Sequence, residues 1–233
     1  MFTKTAHYYD KIYSVKDYQA ETDRLTTVIE ENLRSGGRRL LDVACGTGAH
    51  ITYLKQHFQV EGLDISPEFL EIARRKHPDV VFHHGDMVEF DLADRFDIVT
   101  CLFSSIGYVR TLQNLRRAVT CMTRHVNHGG LLIIEPWFTP DAWQVPSVHA
   151  SLVDEPALKI ARVNTSFVEG RLSYFDLHHL IGTPEGTEHV VERHELGLFE
   201  TEEMRSALTE AGLDVTYDAE GLTGRGLFVG RRR

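Results

Sequence analysis

Cysteine is scarce in this 233-residue chain: Cys45, Cys101 and Cys121 are the only three, with no CxxC spacing among them. An odd set without paired spacing argues against a disulfide scaffold and against a cysteine-built zinc site, and predicts buried thiols in a reducing compartment. Basic residues are also short, 25 Lys and Arg against 34 Asp and Glu, for a net charge of −9. A surface of that sign opposes general affinity for nucleic acid, which needs cations to displace the counterions of phosphates. The one basic run, Arg231 to Arg233, reads as a solvated tail. No stretch approaches the ~20 apolar residues that cross a bilayer, so no membrane segment is expected. The opening MFTKTAHYYDKIY lacks the basic start, apolar run and small-residue cleavage site of a secretory signal, and the expectation is a cytoplasmic protein. Catalytic motifs are missing too. Despite 13 histidines there is no HExxH or Cys/His set, and Ser104 and Ser105 lack a Gly-x-Ser-x-Gly frame. Neither a metal site nor serine nucleophilic catalysis is expected.

What is present is a series of strand–helix units. LLDVACGTGAH (40–50) reads as a buried strand ending in Asp42, a turn built from the small residues Ala44, Gly46 and Gly48, and the start of a helix at His50. VEGLDIS (60–66) is a second strand closed by Asp64 and followed by a helix from Pro67. VVFHHGDM (80–87) ends at Asp86, FDIVTCLFSS (96–105) is a fourth strand, and LLIIEPW (131–137) a fifth after a helix whose end Gly129 and Gly130 mark. An additional helix, with Leu25, Val28, Ile29 and Leu33 on one face, precedes the first strand. From 138 to 198 the pattern changes to alternating segments, 157–170, 171–186 and 187–199, separated by glycine-containing turns, which read as antiparallel strands. A last helix (200–212) and two strands, LDVTYD and GRGLFVGRR, return to the core. The expected architecture is α/β: a doubly wound, seven-stranded Rossmann-like sheet from 1–137 and 199–233, with a small antiparallel β insertion, 138–198, between core strands five and six.

Acidic residues at the ends of strands one to three identify the ligand edge. A dinucleotide site wants a third glycine after the turn, and here that position is Ile51. Asp64 is placed to accept hydrogen bonds from ribose hydroxyls, and Asp86, followed by a backbone N–H at Met87, to read an adenine edge. Asp42 adds negative field directly or through water. Ribose and adenine groups beside a turn that departs from the dinucleotide pattern point to S-adenosylmethionine, whose cationic sulfonium suits an acidic strand end.

The motifs LLDVACGTG, GLDIS, HHGDM, FSSIGY, EPWF and GRGLFVG resemble those of class I methyltransferases. More narrowly, the chain from YYDKIY to GRGLFVG is similar to the N,N-dimethyltransferases of dTDP-linked amino-deoxysugars in the mycaminose and desosamine pathways. The resemblance implies S-adenosylmethionine as cofactor, bound by Tyr9, Tyr13, Tyr18, Asp42, Ala44, Gly46, Gly48, Asp64, Ile65, Asp86, Met87 and Phe103. It implies a nucleotide-linked amino sugar held by Ser104, Ser105, Trp137, Phe138, Arg162 and Arg225, with Arg171 a further cation for its phosphates. Tyr8, Tyr9, Tyr13 and Tyr18 are expected to close over the cofactor as a lid. The chain departs from the family in having Tyr108 where some members place a histidine, and in a short amino-terminal loop before KDY.

Methyl transfer to an amine is an in-line displacement that needs a neutral nitrogen, so an acceptor for its proton is useful. Tyr108, Glu135 and His178 are the candidates, none of them expected to be indispensable. Another small amine or hydroxyl acceptor remains open, as does assembly as a homodimer; nicotinamide chemistry and cofactor binding without turnover are the competing classes.

Overall fold

The structure, a computed structural model, describes residues 5–233. A 3-10 turn at Ala6–Tyr8 leads into α1 (Tyr9–Ile12) and α2 (Tyr18–Asn32). The Asp17 carboxylate caps α2 by accepting the Ala20 N–H at 2.9 Å, and Leu25 and Ile29 bury its inner face. The core then runs β1 (Arg39–Val43), α3 (Ile51–Leu54), β2 (Gln59–Asp64), α4 (Pro67–Lys76), β3 (Val81–His84), β4 (Phe96–Cys101), α5 (Leu112–Arg124) and β5 (Val126–Ile134). Four strands follow, β6 (Ser147–Glu155), β7 (Leu158–Glu169), β8 (Leu172–Thr183) and β9 (Gly186–Gly197), before α6 (Thr201–Glu210), β10 (Leu213–Asp218) and β11 (Leu227–Arg232) close the chain.

Seven strands form one sheet in the order β10-β11-β5-β4-β1-β2-β3. All pairings are parallel except those of β11, which runs antiparallel to β5 and β10. β1 pairs with β2 on one side and β4 on the other, so the chain winds outward in both directions from that point. The crevice beyond the carboxyl ends of β1 and β4 is therefore where such a sheet receives a ligand. Two apolar layers cover the sheet: Leu115, Val119, Met122, Met204 and Leu208 on one face, Leu25, Ile29, Ile51, Leu54 and Leu70 on the other.

The boundaries differ from the sequence reading where local signals mislead. Gly129 and Gly130 do not end the helix, which stops at Arg124; they lie inside β5, and the β4–β5 register shifts between Phe96 and Ile98. A Cβ at Gly130 would lie 2.6 Å from the Asp97 carbonyl oxygen, so the glycine serves a close backbone approach. α3 covers only four residues, since Gln56 and His57 bond to carbonyls three residues back rather than extending the helix.

β6 to β9 form a separate antiparallel meander. β6 is a strand that the sequence reading lacked. It lies at the sheet edge with Val148 66% and Leu152 69% exposed, so its apolar alternation marks no buried face. α1 and the preceding turn bridge the two sheets: Ala6 packs with Phe69 and Leu177, and Ile12 with Ile160 and Ile181.

Candidate active site

Two cavities meet at the carboxyl ends of the parallel strands. The smaller, about 170 Å³, is lined by Leu63, Gly85, Asp86, Val88 and Asn114 among others. The larger, about 400 Å³, is walled by Tyr9, Tyr13, Phe69, Phe103, Ser105, Trp137, Phe175, Leu196 and Arg225. Ala44, Asp64, Ile65, Met87 and Tyr108 line both, so the two are one continuous site.

The turn after β1 is held close by backbone geometry. Ala44, Gly46 and Gly48 adopt φ of 59°, 57° and 76°, which for an alanine costs roughly 1–2 kcal/mol. The surroundings enforce it: Cys45 N–H donates to the Leu63 carbonyl at 3.1 Å, and Gly46 N–H donates to Asp64 Oδ2 at 2.8 Å. Of the four non-glycine residues at positive φ among those described, Ala44, Phe103 and Arg110 line the cavities, the usual location of stored backbone strain.

Asp64 is buried, and its other oxygen accepts the Ser66 N–H at 2.8 Å. Burial raises its pKa, while the N–H groups of Ser66, Gly46 and Ile65 oppose the rise. Each carboxylate oxygen has a second lone pair for a ligand hydroxyl. Asp86 spends Oδ1 on the Val88 N–H at 3.0 Å. Asp42 lies beneath the turn, outside both linings, accepting the Thr100 hydroxyl at 2.7 Å. Burial holds its carboxyl up at about 6. A buried carboxylate with acceptor lone pairs to spare at Asp64, the apolar flanks Ile65 and Met87, and a negative field from Asp42 and Asp64 fit an adenosine bearing a sulfonium.

The amino-terminal segment forms one wall. Tyr9 and Tyr13 face the larger cavity, and Asp10 ties the segment to the floor by accepting the Thr47 hydroxyl at 2.5 Å and the Lys76 ammonium at 2.8 Å. Tyr18 stands behind this wall, its ring 4.9 Å from that of His50, and Tyr8 packs with Ile160 and Ile181.

Several predicted residues are elsewhere. His178 is exposed on the outer face of the second sheet, Nδ1 3.2 Å from His189 Nε2; strand alternation sends Leu177 and His179 inward instead. Glu135 is fully buried, and its oxygens are committed as acceptors to the Phe103 N–H at 2.6 Å, the Thr223 hydroxyl at 2.5 Å and the Arg225 guanidinium at 3.2 Å. It anchors neighbours and does not face the cavities. Ser104 donates to the Pro136 carbonyl at 2.6 Å, and Gly48 supports the turn from behind, its carbonyl 3.0 Å from His77 Nε2. Arg162 lies 5.1 Å from the Tyr13 ring centre, outside the linings. Arg171 pairs with Glu203 and Glu200. Phe138 packs on Trp137 at 4.8 Å and lines an adjoining cavity of about 250 Å³, which shares Trp137 and Arg225 with the larger one.

The sequence reading missed Phe69, Phe175, Leu196 and His194. The last is buried with Nδ1 2.6 Å from the Tyr108 hydroxyl oxygen. Its alternation with Leu196 along β9 was the available signal. Among the described residues no group of three or more His, Cys, Asp or Glu is arranged to hold a metal ion, and no helix is long and apolar enough to cross a membrane.

A methyltransferase domain model matches residues 40–130. The chain is 39% identical over 229 residues to the dTDP-3-amino-3,6-dideoxy-alpha-D-glucopyranose N,N-dimethyltransferase of Streptomyces fradiae, covering 97% of this chain and 89% of that one. Among solved structures it superposes on DesVI of Streptomyces venezuelae with a TM-score of 0.93 and 35% identity, covering 100% of both chains. CalS10, an amino pentose methyltransferase of Micromonospora echinaspora solved with S-adenosylmethionine bound, gives 0.88 and 36% over 100% of this chain and 98% of that one. With identity at this level across nearly its whole length, and a site that suits the same cofactor, the chain belongs to the S-adenosylmethionine-dependent N,N-dimethyltransferases of dTDP-linked amino-deoxysugars.

Proposed function

We propose that the protein methylates the amino nitrogen of a dTDP-linked amino-deoxysugar twice, in the biosynthesis of an antibiotic sugar. The observation that carries this reading is the shared wall: five residues of the acidic cleft also line an aromatic chamber, so donor and acceptor meet without a barrier. When bound, S-adenosylmethionine supplies a methyl group on a positively charged sulfur, and the amine nitrogen forms its new bond to carbon as the carbon–sulfur bond breaks.

Asp64 and Asp86 hold the adenosine, and Asp42 favours the sulfonium through its charge. Tyr9, Tyr13 and Phe69 exclude water from above the reacting atoms. Trp137, Phe175 and Ser105 seat the sugar, and Tyr108 faces its amine. Arg225, anchored by Glu135, meets the pyrophosphate at the passage into the adjoining aromatic cavity. The chain's main contribution is alignment, worth up to about 7–11 kcal/mol in favourable intramolecular systems. The reaction belongs in the cytoplasm, where nucleotide sugars and S-adenosylmethionine are made.

The outer face of the second sheet exposes Val148, Leu152, Val163, Leu180 and Val191 together, a surface suited to two-fold pairing with a second copy. Sedimentation of the unmodified chain and of Leu152→Glu distinguishes a dimer from a monomer.

Incubation with S-adenosylmethionine and a panel of amino-sugar nucleotides tests the activity: mass gains of one and then two methyl groups support it, and methylation confined to non-sugar amines or hydroxyls refutes it. Arg225→Ala raises KM for the nucleotide sugar about tenfold, the loss of one charge-assisted contact; an unchanged KM removes Arg225 from the phosphate site.

A further inference from the structure

Tyr108 sits on a 3-10 turn (Ser105–Val109) that follows β4 and borders both cavities. Its hydroxyl meets a residue from another part of the chain: His194 of β9, with Tyr108 Oη 2.6 Å from Nδ1. The contact exists because the turn and β9 approach closely at Gly107, where a Cβ would lie 2.8 Å from Leu196 Cδ2 and 3.1 Å from Trp137 Cβ. The imidazole is fully buried and stacked on Phe175, ring centres 5.3 Å apart at 5°, and Phe175 itself lines the chamber. Its setting fixes the ring plane and hence the direction of Nδ1.

We propose that His194 is a positioning residue for methyl transfer: its Nδ1 accepts a hydrogen bond from the Tyr108 hydroxyl, which turns the phenol oxygen's lone pairs to the chamber to receive an N–H of the acceptor amine. The direction of the bond follows from acidity. Burial raises the Tyr108 pKa, with Tyr13, Glu192 and Asp64 adding to the rise, so the phenol keeps its proton. Burial lowers His194 to about 3, with His179 and Arg162 pushing the same way and Glu192 opposing, so the ring is neutral. Between a neutral phenol and a neutral imidazole the phenol is much the stronger acid, and it donates.

This inference rests on the amino-sugar reading above and adds a reason for two transfers. A primary amine and its monomethylated product both have an N–H to give to Tyr108. A neutral tertiary amine has none, so the anchor ceases to act once the second methyl is in place.

His194→Asn keeps an acceptor near the Nδ1 position, whereas His194→Gln puts its amide near Nε2, out of reach of Tyr108. Both retain a neutral polar side chain in the same hole. The expected result is that His194→Gln lowers kcat about tenfold, the size of one hydrogen bond, with KM changed less. His194→Asn restores most of it, and calorimetric affinity for S-adenosylmethionine is the same in all three proteins. Tyr108→Phe falls as far as His194→Gln, and combining the two costs no more than either alone. Nitrogen NMR of the labelled imidazole, without substrate, gives a readout apart from turnover: Nδ1 is the unprotonated, hydrogen-bonded nitrogen, and its resonance moves in Tyr108→Phe. A protonated Nδ1, equal kcat for Gln and Asn, or additive losses overturn the role of His194. Failure of the unmodified protein to methylate any amino sugar overturns the functional reading instead.

Discussion

Replacing Asp42 with asparagine makes the protein more stable and a weaker binder of S-adenosylmethionine. Asp42 is 2% exposed, and burial, with the Asp64 charge adding to it, holds its carboxyl at about 6 against 3.8 for the free group, despite the opposing effects of His50 and Thr100. Because the folded-state value is raised, the stability this group contributes is complete below pH 3.8 and is lost as pH rises through about 6. The loss amounts to about 3 kcal/mol at pH 8 and about half that at pH 5. Asparagine has no charge to desolvate and keeps an acceptor for the Thr100 hydroxyl, 2.7 Å away. Its added N–H needs a new partner, which offsets roughly 1 kcal/mol. Urea unfolding without cofactor then gives a net gain of about 2 kcal/mol at pH 8, with a much smaller gain at pH 5. Calorimetry adds the functional half: S-adenosylmethionine loses more affinity than S-adenosylhomocysteine, since only the former carries a positive sulfur. A variant no more stable than the parent at pH 8, or equal losses for the two ligands, refutes the reasoning.

Three further outcomes are expected. Glu135→Gln turns an amide N–H toward either the Phe103 N–H or the Thr223 and Arg225 donors together, and removes the charge that pairs with Arg225, costing roughly 1–3 kcal/mol; thermal melting reads the loss, and KM for the nucleotide sugar rises as Arg225 loses its charged partner. Gly107→Ala presses β9 away from the turn, costing about 1–3 kcal/mol as overpacking does, and lowers kcat more than it weakens cofactor binding; undiminished turnover contradicts the close fit at Leu196. His178→Ala, on the exposed outer face, leaves kcat within about twofold, as is usual away from the chemistry.

The parallel core was legible because its strands are short apolar runs, the first three of them closed by a carboxylate and a turn, signals only a few residues long. Asp64, Asp86 and Gly46 line the site for the same reason, and Tyr108 lines it from the turn at the mouth of the fourth strand. The second sheet was harder because both of its faces are apolar: Leu177 and Ile181 point inward, Val163, Leu180 and Val191 outward. Alternation separates two faces without saying which one meets the core; His178 lies on the outer one, and His194 is the histidine in reach of Tyr108. Glu135 misled differently. As an acid at a strand end it resembles Asp64, but its partners Thr223 and Arg225 come from about 90 positions away and enclose it. Edge strand β6 has one neighbour and an open side, so its pattern lacked the contrast that marks a strand.

The absent side chain at Gly107 bears on how such an enzyme changes its diet. The α/β body and the antiparallel flap touch where a single methyl group would not fit, so a flap transplanted from a cousin keeps the phenol–imidazole pair only if its own seam is equally thin. Evolution has an easier route in repainting the flap's inner wall, residue by residue, while leaving the join untouched.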